Sequence, residues 1–200
     1  MKLRTTIAIS LILTACLANG QQVDEFAQKL ADAAIERTTH HVRYDGSYRQ
    51  LDYPGGDVPD SVGVCTDVVI RSYRAVGIDL QREVHEDMTA HFEAYPDHWG
   101  LSRPDRNIDH RRVPNLQTFF TRHGVELPMT EDPADYLPGD LVTWMIPGNL
   151  PHIGIVIDRY SVYGQRPLIV HNIGAGPKVE DCLFDFLMTG HYRYQGSPGP

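Results

Sequence analysis

Three runs of branched and aromatic residues, LVTWMI (141–146), HIGIVID (152–158) and PLIVHNI (167–173), constrain the fold more than any other feature of the chain. Runs of this composition, bounded by Gly, Pro and polar residues, read as strands. Following one another along the chain, they read as a meander of antiparallel neighbours. HYRY (191–194) reads as a last edge strand, and CLFDFL (182–187) as a short helix or turn.

Helical patterns precede the strands. Val23, Phe26, Ala27, Leu30, Ala31, Ala34 and Ile35 recur at helical spacing, which predicts an amphipathic helix over 23–40. The turn-rich DYPGGDVPDSVG (52–63) is followed by GVCTDVVIRSYRAVG (63–77), in which Val68, Val69, Ser72 and Val76 share a face and Gly77 is a natural stop. Pro114 to His123 reads as another helix, with Gly124 at its end. Residues 81–112 read as a long irregular segment with one short helix near 81–93. Helices first and a strand meander second make an α+β layout.

The second helix carries its cysteine at its first turn. A helix N-terminus presents unpaired N–H groups and a positive dipole end, and both favour a thiolate, the nucleophilic form. Cys65 is therefore the candidate nucleophile, with Thr66 beside it. His152 opens one strand and His171 lies near the end of the next, so an antiparallel pairing brings them together. One ring can serve the thiol as base while the other fixes its tautomer. Two alternatives use the same residues. A Cys65–Cys182 disulfide suits an oxidising compartment, and a thiolate with two imidazoles could hold zinc, although no close-spaced ligand pair supports a metal. A permuted arrangement with Cys182 as nucleophile lacks the glycine-bounded helix.

The first residues are not fold. MKLRTTIAISLILTACLANGQQ has a basic start, a short apolar run and then small residues, the pattern of a bacterial export signal over 1–20. Leu13-Thr14-Ala15-Cys16 resembles a lipobox, which would lipidate Cys16; the alternative is an ordinary cleavage site ahead of Gln21. Residues 21–195 then form one domain, and 196–200 a frayed tail. The expected location is outside the cytoplasmic membrane, in the periplasm or as an outer-membrane lipoprotein. A net charge of −8 argues against nucleic acid and against a broad grip on anionic lipid. A lipid on Cys16 is thus the one expected membrane attachment. The mature protein is expected to be a monomer without cofactor or metal.

The ordered set of Cys65 at a helix start, LPGDLVTW (137–144), PHIGIVI (151–157) and His171, with Tyr53 and Gly55-Gly56 upstream, resembles the NlpC-type branch of the papain-like cysteine peptidases. That resemblance implies a papain-like fold, with the helix carrying the cysteine packed on an antiparallel sheet. It implies Cys65 as nucleophile, His152 as base, His171 as orienting residue and Tyr53 on the oxyanion side. It also implies peptidoglycan stem peptides as substrate. Where that branch has Asp-Cys-Ser-Gly, this chain has Val64-Cys65-Thr66-Asp67. The wording GVCTDVVIRSYRAVGIDLQ and PDRNIDHRRVPNLQTFF looks like a bacterial family catalogued as a domain of unknown function. The other readings are an amidase, thioesterase or acyltransferase on the same fold, and an inactive periplasmic binding protein.

SRPDRNIDHRRVPN (102–115) concentrates arginines in an acidic chain. Arg forks bind carboxylates, so Arg106, His110 and Arg111 are candidate substrate-binding residues. An Arg/Asp network that ties the loop down is the equal alternative.

Overall fold

The computed structural model describes residues 24–196. The export signal, Cys16 and residues 197–200 of the expected tail lie outside them. In chain order the elements are α1 (Glu25–Arg37), β1 (Arg43–Tyr44), β2 (Val62–Gly63), α2 (Cys65–Ala75), α3 (Leu80–Ala90), α4 (Val113–His123), β3 (Val125–Glu126), β4 (Leu141–Ile146), β5 (Leu150–Tyr160), β6 (Pro167–His171), β7 (Lys178–Glu180) and β8 (Leu187–Arg193). The class is α+β.

β1 and β2 make a short parallel pair, and the other strands form one six-stranded antiparallel sheet in the order β3-β8-β4-β5-β6-β7. HYRY is therefore not an edge strand, as its sequence suggests. It is the end of β8, which pairs with β4 on one side and β3 on the other. Asp140 makes this placement necessary. The carboxylate is fully buried, and it accepts from Arg193 Nε at 2.7 Å, His191 Nε2 at 3.0 Å and the Leu137 N–H at 2.9 Å. A buried charge must be paired, and the partners lie on β8. Gly139, before it, has φ +84°, and a Cβ there would lie 2.9 Å from the Ala27 Cα, so the turn into β4 presses directly on α1.

Side chains alternate across the sheet. On one face Leu141, Ile153, Ile155, Ile157 and Val170 pack against α1, α2 and α4, in a core that includes Tyr73, Leu116, Phe119 and Phe120. On the other face Val142, Trp144, Val156 and Ile169 form a smaller cluster with Tyr136, Cys182 and Leu183. That cluster is capped by irregular chain rather than by helices, and the Trp144 indole donates to the Leu183 carbonyl at 2.9 Å.

Candidate active site

α2 begins at Cys65 because Val64 is extended (φ −124°, ψ −170°) and Asp67, three residues on, accepts the Val64 N–H at 2.7 Å. It ends in a Schellman motif. Gly77 has φ +91°, and the N–H groups of Gly77 and Ile78 bond the carbonyls of Arg74 and Tyr73 at 3.0 Å each. These local rules fix the thiol at the first helical position, facing the sheet.

The thiol is 4% exposed. It meets the N–H of Ile153, the residue after His152, together with the N–H groups of Thr66 and of Cys65 itself. The sequence suggested a lowered thiol pKa, and the structure reverses this. Burial pushes Cys65 up to about 11, and the Asp67 carboxylate adds to the rise, against the smaller help of the three N–H groups. The resting sulfur is a thiol.

His152 and His171 lie on the opposite face from the α2 packing. His152 pairs across the ladder with Trp144, whose ring is 6.0 Å away. The two imidazoles meet, His152 Nε2 to His171 Nδ1 at 2.8 Å, and both are 1% exposed. His171 Nε2 lies 2.7 Å from Glu180 Oε2 on β7. The paired rungs of β5 and β6 run up to Ile155–Val170 and do not include His152 or Ile153. The thiol from the helix face therefore meets the backbone beside His152 where the ladder has opened. No hydrogen bond joins Cys65 to either ring.

The carboxylate determines the tautomers. Ionised Glu180 only accepts, so His171 carries its proton on Nε2 and offers Nδ1 as acceptor. His152 must then donate from Nε2, which leaves the lone pair on Nδ1. Burial, with the neighbouring His171, pushes His152 down to about 3, so the ring is neutral. His171 is lowered by burial too, against the opposing pull of Glu180. The array is a neutral thiol at the backbone N–H of the residue after His152, and a neutral imidazole whose tautomer is fixed through a second imidazole by a carboxylate.

The remaining candidates divide. Tyr53 is not at the thiol: its ring packs on His85 at 5.0 Å between centroids and under the Arg106 guanidinium at 5.6 Å. Tyr44, which the sequence did not single out, is the tyrosine that feels Cys65. Burial pushes its hydroxyl up to about 12, with contributions from Cys65 and Asp67. The Gly55-Gly56 pair has a backbone reason. A Cβ on Gly56 would sit 2.0 Å from the Asp52 carbonyl oxygen. The Thr66 hydroxyl is spent on the Arg111 carbonyl at 3.1 Å.

Arg111 and His110 are both buried. Arg111 is buried and grips Asp67 with two bonds, Nε–Oδ1 at 2.8 Å and Nη2–Oδ2 at 2.9 Å. His110 is 2% exposed and is pushed down to about 3 by burial and by Arg111. For Arg111 the loop-tying network holds. Arg106 is exposed. Cys65 and Cys182 are both free and lie in different clusters, so they form no disulfide. The Cys182 sulfur is 3.7 Å from His171 Nε2. Among the described residues no group of three or more His, Cys, Asp or Glu side chains is arranged to hold a metal ion.

A family model described as "Domain of unknown function (DUF1287)" matches residues 31–194, which includes every one of these side chains. The chain belongs to the DUF1287 family. It is 53% identical over 165 residues to "Uncharacterized protein YijF" of Escherichia coli (strain K12), across 82% of this chain and 80% of that protein. Among solved structures, NlpC1 from Trichomonas vaginalis is similar with a TM-score of 0.46 and 16% identity, over 84% of this chain. The chain spans 44% of that protein's length.

Within this DUF1287 domain the sequence did not point to Glu180 or Tyr44. Glu180 lies in a three-residue strand with no periodic signal, and Tyr44 in a two-residue strand. The run of His171 followed nine residues later by Glu180 was visible, but only the β6–β7 register, which sets Glu180 opposite Ile169 and so on the same face as His171, brings them together.

Proposed function

We propose that this DUF1287 protein is an exported cysteine hydrolase that cleaves peptide or amide bonds of peptidoglycan. The observation that carries the reading is a thiol at a helix N-terminus that meets the N–H of Ile153, the residue after His152, together with the His152–His171–Glu180 relay on adjacent strands. In this reading the Cys65 sulfur attacks the substrate carbonyl as its proton passes to His152 Nδ1, in one step, because a thiol held near 11 does not ionise beforehand. The C–N bond then breaks and His152 returns the proton to the leaving amine. Water, deprotonated by the same nitrogen, hydrolyses the thioester and regenerates the thiol. The Cys65 N–H, at the open end of α2, stabilises the oxyanion, with the Tyr44 hydroxyl nearby. The location is periplasmic, with attachment through Cys16 if that residue is lipidated, and the stem peptides are the partner.

A second reading is favoured by one specific observation, the near-complete burial of a protonated Cys65. In it the thiol is structural and the protein binds the wall without cutting it. Digestion of purified peptidoglycan by wild type and by Cys65→Ala, with mass analysis of soluble fragments, separates the two. Fragments made by wild type alone support the hydrolase, and their masses identify the bond, whether endopeptidase or amidase. Identical profiles would refute it.

A further inference from the structure

Among the described residues every arginine except Arg103, Arg106 and Arg159 reaches a carboxylate oxygen within 4.0 Å. In a chain with net charge −8, unpaired guanidinium groups are the exception. Two of the three stand together. Arg103 and Arg106 line an open cleft of about 550 Å³ whose other walls include Tyr48, His85, Leu101 and Asp105.

The cleft has one carboxylate of its own, and it is already satisfied by neutral donors. Asp105 Oδ1 accepts from the Asn107 N–H at 2.9 Å and its amide at 2.7 Å, while Oδ2 accepts from the Tyr48 hydroxyl at 3.0 Å. Neither arginine turns to it. The loop that carries them is anchored. The Arg106 carbonyl accepts from Gln81 Nε2 at 3.2 Å, and the Asn107 side chain takes the Leu51 N–H at 2.9 Å. Arg106 is further steadied by the Tyr53 ring. A further polar atom is unmatched on this wall: His85 Nδ1 is buried and has no hydrogen-bond partner.

A short stretch of chain links the cleft to the thiol end of α2. Tyr44 feels Cys65, and Tyr48 borders the cleft four residues later, a span of at most ~14 Å even for extended chain. The carbonyls of Asp45 and Ser47, between these two tyrosines, lie 3.4 Å from the Arg111 guanidinium that grips Asp67 in the first turn of α2.

We infer that this cleft is a binding site for the carboxylate groups of an acidic peptide, held by Arg103 and Arg106. Guanidinium forks match carboxylates in geometry as well as charge. That the bound peptide is the one cleaved rests on the hydrolase reading; the binding itself does not. The test is calorimetric titration of the Cys65→Ala protein with a short peptide bearing two free carboxylates and with the same peptide as its diamide. The diacid is expected to bind at least about tenfold more tightly, with the preference weakening as salt rises. Arg103→Gln/Arg106→Gln should abolish the preference while lowering the melting temperature by only a few degrees, because neither side chain has an ion-pair partner and only the Arg106 contact with the Tyr53 ring is lost. Equal binding of diacid and diamide, no binding of the diacid up to millimolar concentration, or an undiminished preference in the double variant would each overturn the site. An intact preference in a protein that leaves peptidoglycan uncut would remove the hydrolase and keep the cleft.

Discussion

Replacing Glu180 by Gln tests the relay at its outer end. The carboxylate sits 2.7 Å from His171 Nε2 and 2.8 Å from Lys178 Nζ, with about a third of the side chain (34%) exposed. A hydrogen bond with one charged partner contributes roughly 1.5–3 kcal/mol when buried. Solvent screening at this exposure reduces that to about 1–2 kcal/mol. Glutamine keeps the shape but can donate as well as accept, so the variant loses the requirement that His171 carry its proton on Nε2. If the tautomer relay supports turnover, the variant should lose about 5- to 30-fold in kcat, with KM little changed. The direct assay needs no substrate. Long-range ¹⁵N–¹H spectra of histidine-labelled protein report which nitrogen of each ring is protonated. Wild type should show His171 as the Nε2–H tautomer and His152 likewise, and Glu180→Gln should show mixed tautomers at both rings. Rings that are Nδ1-protonated in wild type, or spectra identical in the two proteins, would refute the reasoning whatever the activity does.

Three further outcomes follow from the buried groups. His110 is neutral in the fold because burial holds it down to about 3, whereas the unfolded chain binds the proton near 6.5. Stability is therefore flat above pH 6.5 and falls between pH 6.5 and 3, by on the order of 3 kcal/mol at pH 4.5 from this ring alone. Urea melts of His110→Gln across that window should show a correspondingly shallower decline, and parallel curves would contradict the assignment. Arg111→Ala strands the buried Asp67 carboxylate, a loss of about 3–5 kcal/mol readable as a fall in urea midpoint; a midpoint within error of wild type would mean the pair is solvated. The Cys65 thiol, held near 11, is ionised to about one part in a thousand at pH 8. Native protein should therefore resist iodoacetamide at both described cysteines and react at both on unfolding, and rapid native alkylation of Cys65 would show that burial has been overweighted.

The backbone of the site was legible in the sequence, and its electrostatics were not. Asp67 and Gly77 bracket α2 through capping rules that act within a few residues, so the thiol's position could be read directly. The meeting of His152 and His171 follows from strand order alone. Whether the thiol is ionised depends on burial by β5, a tertiary effect that outweighs the local influence of a helix terminus. The arginine-rich segment shows the same division. Composition drew attention to Arg106 and Arg111 alike, but only the distant placement of Asp67 decides that Arg111 is a structural tie and Arg106 is not. HYRY reads as an edge strand because it is last and short. Its interior position is dictated by Asp140, some fifty residues earlier, whose partners a linear reading does not supply.

That interior position makes assembly depend on the last of the described strands. β8 is the last of the described strands to emerge during synthesis or export, yet β3 joins the sheet only through it and β4 has its outer edge covered only by it. Until residue 193 is available, β4 presents a bare edge, the buried Asp140 lacks both of its basic partners, and the Tyr73 hydroxyl on α2 has no Tyr194 carbonyl to meet at 2.9 Å. A growing chain therefore cannot complete its core piece by piece. The strands condense around the final segment at once, at the rate cost that such distant pairings carry. A truncation that removes Arg193 and Tyr194 takes out the keystone, not a tail.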